Sequence, residues 1–443
     1  YGNFPAASLA WSISEEGFMA GTREWLDFLK LRTGWGLSGN DRIGNYNAYS
    51  TYATDKYLAA YPLDGSNTSA ISGFMPSTLG NPNVGWETTQ TINAGIDAII
   101  LKNKLSLSFD VWQRDTKDML YQLKIPEVMG LADPPFVNIG QMRNKGFDLE
   151  LGYKNSAMNG KFSYNIRATL SRYTNKIMKL SDEVNEEIIS GGLRQINYTR
   201  AAVGTAFPQF YGYEVEGIFQ TDAEASSYAP YGSNPYNKAG HFKFKNQLTI
   251  DSNGDGVPDE ADGIIDPNDM VYIGNPHPDL TGGLNIDLAY GPLSLNMFFY
   301  GSYGNDMVNY VTRWIDYGMF NGGLSHKALY ESWGSPYLRD NAKAKLPMLD
   351  QNDISQQPST AFVQDASFLR FKTLRIGYSL PTKLVNKIQA KSLSIYAQVT
   401  NLFTLTKYEG LDPELDSSGS YMGLDQGAWP TPRQIMFGIN LGL

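Results

Sequence analysis

In the run KLSLSFDVW, Leu105, Leu107, Phe109 and Val111 fall on one phase, and Ser106, Ser108 and Asp110 on the other. Successive side chains of an extended chain point to opposite faces, so this spacing predicts a two-faced β-strand. The same period recurs in QTINAGIDAI (Ile92, Ala94, Ile96, Ala98), GFDLELGY (Phe147, Leu149, Leu151, Tyr153) and KFSYNIRATL (Phe162, Tyr164, Ile166, Ala168, Leu170). It returns in GLNIDLAY (Leu284, Ile286, Leu288, Tyr290), PLSLNMFFYG (Leu293, Leu295, Met297, Phe299), LRIGYSL (Leu374, Ile376, Tyr378, Leu380) and SLSIYAQV (Leu393, Ile395, Ala397, Val399). The charges inside these runs, Asp97, Asp110, Asp148, Glu150, Arg167, Asp287 and Arg375, all occupy the opposite phase. One face accepts ions and the other excludes them.

Weaker runs at 1–13, 27–38, 193–203, 208–219 and 431–443 bring the expectation to about thirteen strands, each long enough to cross a membrane at a tilt. The segments between them alternate in length. Short ones lie at 101–104, 155–160, 204–207, 291–292 and 381–391, and long polar ones at 39–85, 119–137, 174–192, 220–277, 306–361 and 406–430. Outer-membrane barrels have short periplasmic turns and long extracellular loops, which this alternation fits. A secreted or surface β-sandwich that binds carbohydrate or adheres to a surface is the alternative, with the apolar phase turned to a core. An odd strand number cannot close a bacterial single-chain barrel. The last run, RQIMFGINLGL, keeps its alternation through Leu443 and is expected to descend to the periplasm and pair with a first strand outside this chain. The chain opens within the strand-like YGNFPAASLAWSI rather than a signal peptide, so its start is expected to be cut rather than native.

Composition supports a strand-and-turn protein: of 443 residues 42% are apolar and 13% aromatic, with 44 Gly and 28 Tyr. No apolar stretch is long enough for a transmembrane helix. The mean hydropathy of −0.33 is what alternating barrel strands give. A net charge of −9 excludes the basic footprint of a nucleic-acid binder. With no Cys, there is neither a disulfide framework nor a thiolate metal site.

Nine stretches together resemble the C-terminal part of a SusC-like (SusC/RagA family) TonB-dependent outer-membrane transporter. They are FPAASLAWSISEEGFM (4–19), NPNVGWETTQ (81–90), NIGQMRNKGFDLEL (138–151), YGYEVEGIFQ (211–220), DSNGDGVPD (251–259), YIGNPHPD (272–279), SFLRFKTLRIGYSLP (367–381), NLFTLTKYEGLDPE (401–414) and WPTPRQIMFGINLGL (429–443). The resemblance implies an all-β fold, the C-terminal portion of a 22-stranded antiparallel transmembrane barrel. The whole chain, 1–443, then corresponds to strands from about 10 to 22, with the plug domain and the N-terminal strands outside it. It further implies import of an oligosaccharide or peptide, energy from the TonB complex reached through that missing N-terminal region, and a SusD-like surface lipoprotein as lid. Outer-membrane lipid would surround the wall, a dimer of transporter–lid pairs is an implied assembly, and no enzymatic activity is expected.

The sharpest candidate for ion chemistry is DSNGDGVPDEAD. Asp251, Asn253, Asp255, Asp259 and Asp262 take positions 1, 3, 5, 9 and 12 of an EF-hand-like loop, with Gly256 at the turn and the Val257 carbonyl at position 7. Oxygen donors in that order suit a structural Ca²⁺, although position 12 is Asp rather than Glu and no helices flank the loop. The competing reading is a solvated acidic turn. His241, His277 and His326 stand in separate long segments, which argues against zinc catalysis. Asp148 and Glu150 share a strand face, as a glycosidase pair would, but a hydrated lumen accounts for them more simply. Tyr153, Tyr164, Tyr290 and Tyr378 on the apolar phase suit an interfacial girdle. Trp112, Tyr300 and Tyr396 are the inward aromatics available to a ligand.

Overall fold

The computed structural model describes residues 2–442 except 56–57, 63–64, 66–70, 123–124, 126–129, 131, 182–186, 194–195, 233–236, 318–322, 351–355 and 416. Leu443, the last apolar position of the terminal run, lies outside the described residues. Its largest element is one sheet of eleven strands. These are β1 (Ala6–Ser12), β2 (Leu26–Asn40), β3 (Glu87–Ile100), β4 (Leu105–Lys117), β5 (Gly140–Ala157), β6 (Phe162–Leu180), β7 (Leu280–Tyr290), β8 (Leu293–Tyr303), β9 (Phe368–Ser379), β10 (Ser392–Thr406) and β11 (Gln434–Gly442). Each pairs antiparallel with the next, an up-and-down order that local connections produce without crossovers.

Register carries the two faces from strand to strand. One row runs unbroken from β3 to β11 through Ile100, Leu105, Tyr153, Ile166, Ile286, Met297, Leu374, Val399 and Ile435. A second runs from β2 to β10 through Leu29, Ala98, Leu107, Leu151, Ala168, Leu284, Phe299, Phe371 and Phe403. A one-residue slip anywhere would send an apolar row to the charged face, so the pattern fixes the register. This face is not roofed by a second layer: Ile395 is 46% exposed, Ile439 71% and Phe437 81%, while Leu107 and Ile286 are only half-buried. A sandwich would have buried these residues, and the single sheet sets that alternative aside.

The connections sort by end. At one end lie 13–25, 101–104, 158–161, 291–292 and 380–391; at the other lie 41–86, 118–139, 181–279, 304–367 and 407–433. Two of the thirteen expected strands are therefore corrected. The runs at 193–203 and 208–219 do not join the large sheet. They contribute Ile196–Ala202 and Gln209–Gly212 to a separate four-stranded sheet, completed by Glu187–Leu193 and Val271–Gly274. The turn expected at 204–207 thus lies inside one connection, 181–279.

That connection meets 304–367 and 407–433 over a core of its own, in which Tyr198, Phe210, Tyr213, Phe242, Phe244, Val308, Tyr310, Phe362 and Leu424 are buried. Fully burying a side chain such as Phe contributes about 1.5–3 kcal/mol relative to leaving it exposed. The long segments therefore fold as a compact cap, whereas the sheet beneath is one layer thick.

Candidate functional site

The charged phase of the sheet is a connected polar surface. Arg32 on β2 holds Asp97 on β3 through Nε at 3.0 Å and reaches past β3 to Asp110 on β4, Nη2 to Oδ2 at 2.6 Å. Ser108 Oγ donates to Asp97 at 2.8 Å. The reach is sterically possible because Gly95 stands between Arg32 and Asp110 in register. A Cβ there would lie 2.3 Å from Asp110 Oδ1 and 3.0 Å from Arg32 Cζ. Further along, Arg143 Nε bonds Asp115 at 2.6 Å, and Asn296 and Asn285 donate to Asp287 at 2.6 and 2.8 Å.

Sequence-level candidates on this face each find a local partner. Asp148 accepts from Trp112 Nε1 at 2.8 Å and Ser171 Oγ at 2.6 Å, while Glu150 pairs with Arg167 at 3.3 Å. Tyr396 lies under the Arg375 guanidinium at 4.0 Å, and Tyr300 has Lys372 at 5.7 Å from its ring. On the opposite face Tyr153 and Tyr164 touch at 5.8 Å near the short-turn end, where Tyr290 and Tyr378 are exposed.

At the long-loop end, stretches far apart in sequence lock together. Arg370 on β9 is 3% exposed; it bonds Asp412, Glu414 (Nη1 to Oε2, 2.7 Å) and Thr404 Oγ1 (2.9 Å). Asp412 also accepts the amides of Glu414 and Thr431, both at 2.9 Å. Burial works to raise its carboxyl, but Arg370 and those amides outweigh it and hold Asp412 below the usual carboxylate range. SFLRFK, GLDPE and WPTP thus form one anchor for the connection 407–433.

Asn138 plays the same part for NPNVGW, accepting from the Gly85 amide at 2.7 Å and donating to the Gly85 carbonyl at 3.1 Å and the Asp118 carbonyl at 2.7 Å. In YIGNPHPD, His277 Nε2 faces the Phe207 carbonyl at 2.9 Å and Nδ1 faces the Tyr173 hydroxyl at 3.0 Å. A carbonyl only accepts, so Nε2 carries the proton and Tyr173 donates to Nδ1. Burial pushes the imidazole below its ordinary value, keeping it neutral. Tyr213 of YGYEVEGIFQ is fully buried and stacks on Phe244 at 4.8 Å in the cap core.

The acidic loop is folded on itself. Asp251 Oδ1 accepts from Gly254 at 2.7 Å and Oδ2 from the Gly256 amide at 2.8 Å. Asn253 accepts from Asp255 (2.9 Å), Asp255 from Val257 (2.8 Å), Asp259 from Ser252 (2.9 Å) and Asp262 from Ile264 (3.0 Å). Asp251, Asn253, Asp255, Val257 and Asp259 are exposed and Asp262 is half-buried, and among the described residues no three His, Asp or Glu groups converge as metal ligands. His241 lies beside Asp350 at 3.4 Å and His326 beside Tyr330, each apart from His277.

A two-faced wall with a folded cap at one end is also what comparison with known proteins returns. The family model described as TonB dependent receptor-like, beta-barrel matches residues 2–402. The chain belongs to this family. It is 29% identical over its whole length to TonB-dependent receptor P3 of Formosa agariphila, covering 42% of that protein. It is 28% identical to TonB-dependent receptor SusC of Bacteroides thetaiotaomicron, covering 40%. Among solved structures, the RagAB peptide transporter superposes with a TM-score of 0.77 at 25% identity, over 99% of this chain and 43% of that one. The chain of this TonB-dependent receptor thus spans about two-fifths of the length of its curated relatives. The family is one of outer-membrane receptors and transporters, which matches the SusC-like resemblance read from the motifs.

Loop anchoring is the role that reading the sequence missed. Asp425, 2% exposed, accepts the Tyr408 hydroxyl at 2.6 Å and the Gly427 amide at 2.8 Å, and Asp306 accepts the Asn275 amide at 2.9 Å. Part of the signal lay in the motifs, which hold Arg370, Tyr408, Asp412 and Asn275, whereas Asp306 and Asp425 fall outside them.

Proposed function

We propose that this chain supplies wall strands and outer loops to a SusC-like importer that moves an oligosaccharide or peptide into the periplasm. The TonB complex drives it, and a SusD-like lipoprotein closes over the cap. The observation that carries the reading is the eleven-strand sheet with unroofed apolar rows on one face and the Arg32, Asp115, Asp148 and Asp287 networks on the other. Only a wall between hydrocarbon and a wet bore needs both faces uncovered by protein layers. Eleven strands are half of a 22-stranded cylinder, and β11, which follows a long connection, descends to the periplasm. The short-turn end is then periplasmic and the cap extracellular. The likeness to the RagAB peptide transporter puts peptides first among substrates to test.

The reading is tested on the full-length protein in its native outer membrane. Detergent-solubilised material should migrate as a compact species that shifts on boiling, co-purify with a lidded lipoprotein, and take up labelled peptides or oligosaccharides only when the inner membrane is energised. Recovery from washed membranes as a stable monodisperse species without detergent would end it.

A further inference from the structure

Charge is distributed unevenly between the two ends of the sheet. The four short connections 101–104, 158–161, 291–292 and 380–391 contain Lys102, Lys104, Lys161, Lys383, Lys387 and Lys391, and no Asp or Glu, in a chain whose net charge is −9. All six lysines are exposed, and among the described residues none of them makes an ion pair. The cap differs: Lys238, Lys245, Lys327 and Lys345 are each paired with a carboxylate. Within the short-end connections acidic residues occur only in 13–25, as Glu15, Glu16 and Glu24; on the strands, Asp27 at the start of β2 accepts the Asn103 amide at 2.8 Å, and Asp287 on the inner face lines one hollow with Lys102 and Lys104.

The connection 380–391 adds an apolar component. It coils through Thr382–Val385 and Asn386–Ile388, burying Val385 to 2% exposure, while Leu384 and Ile388 remain 50% and 54% exposed beside Lys383 and Lys387. Apolar side chains interleaved with cations on a short surface coil are the chemistry of an interfacial segment: the apolar groups enter the acyl boundary and the ammonium groups meet headgroup phosphates. The patch is continuous with the membrane-facing surface, because Tyr378, Ile395 and Ile439 lie on the outer face of the strands just beside it.

We propose that the short-turn rim from β3 to β10 is a basic collar that binds anionic phospholipid headgroups, with Lys383, Lys387 and Lys391 as its main cations and Leu384 and Ile388 as its apolar anchors. The inference rests on the outer face lying in lipid. Its consequence is a lipid shell enriched in anionic headgroups on the periplasmic side, holding the barrel at a fixed depth.

The test reconstitutes the full-length protein into vesicles of phosphatidylethanolamine alone or with one-fifth phosphatidylglycerol, then measures co-purifying lipid by native mass spectrometry after mild detergent extraction. Wild type should retain phosphatidylglycerol preferentially, and each lysine changed to glutamine in K383Q/K387Q/K391Q should lower that preference about five-fold at low salt. A cap control, K343Q, should leave it unchanged. L384S/I388S should reduce retention of both lipids. A boiling-dependent gel shift verifies folding of each variant. Equal retention of the two lipids by wild type, or an undiminished preference in the triple variant, would overturn the collar. Failure to enter vesicles of either composition would instead refute the barrel reading.

Discussion

Replacing Arg370 by Met removes the cation from the most buried ion pair among the described residues. The Arg370 and Asp412 side chains are 4% and 6% exposed, and Glu414 is 30% exposed with Lys372 as a second partner. The loss therefore falls on Asp412. Breaking a buried pair on one side typically costs about 3–5 kcal/mol, because the remaining charge is stranded away from water. Two amides still reach Asp412, so the lower part of that range applies, about 3 kcal/mol or two orders of magnitude in local opening. The cost should appear in the connection 407–433 and leave the sheet itself in place. Hydrogen exchange of the full-length protein in detergent, followed through peptides covering 405–433, reads this directly. Exchange there should rise about a hundred-fold in Arg370→Met, while β3 to β5 are unaffected. The double variant Arg370→Met with Asp412→Asn should recover much of the loss, since replacing both ends of a buried pair is far less costly than removing one. Unchanged exchange in the single variant, or an equal rise throughout the sheet, would refute the anchoring role.

Other expectations follow from the same geometry. Gly95→Ala should sever the Arg32–Asp110 arm and lower the temperature of the boiling-dependent gel shift; these side chains are 22–28% exposed, so about 1 kcal/mol is expected, and the effect should vanish in an Asp110→Ala background. His277 is held neutral below its ordinary 6.5, so its contribution is complete above that value and declines as pH falls from there toward the lowered folded value; exchange at 205–207, corrected for intrinsic rate, should rise between pH 7.5 and 5 and do so less in His277→Gln. Ile286→Arg should cost roughly 2–4 kcal/mol at the membrane midplane and reduce the assembled fraction, whereas Asn285→Arg on the opposite face should assemble normally.

Much of the wall was legible because the period-2 signal is strict where a strand separates hydrocarbon from a polar bore. Ile286 and Asp287 state their faces without help from neighbours. The strand count was less legible, since the runs 193–203 and 208–219 also alternate and periodicity cannot tell which sheet a strand joins. Tyr198, Thr199 and Phe210 are all buried, on both phases, which is how a strand inside a cap core differs from one facing lipid. Spacing in DSNGDGVPDEAD suggested ligands, and Asp251 and Asp255 accept the amides of residues that follow them, contacts that a tight turn and an ion-binding loop share. Arg370 and Asp412 are 42 residues apart, and they meet where the connection 407–433 returns to β9.

The central claim is that Ile286, Leu374 and Ile395 look into hydrocarbon while Asp287 and Arg375 look away from it. These 443 residues contain no cysteine, so in a full-length protein with any cysteine outside them changed to serine, spin labels placed singly at Ile286→Cys, Asp287→Cys, Leu374→Cys, Arg375→Cys and Ile395→Cys report one site each after reconstitution. Accessibility to dissolved oxygen, which concentrates in the bilayer, should be high at Ile286, Leu374 and Ile395 and low at Asp287 and Arg375. Equal accessibility in the two phases, or low values at all three apolar positions, would contradict the account.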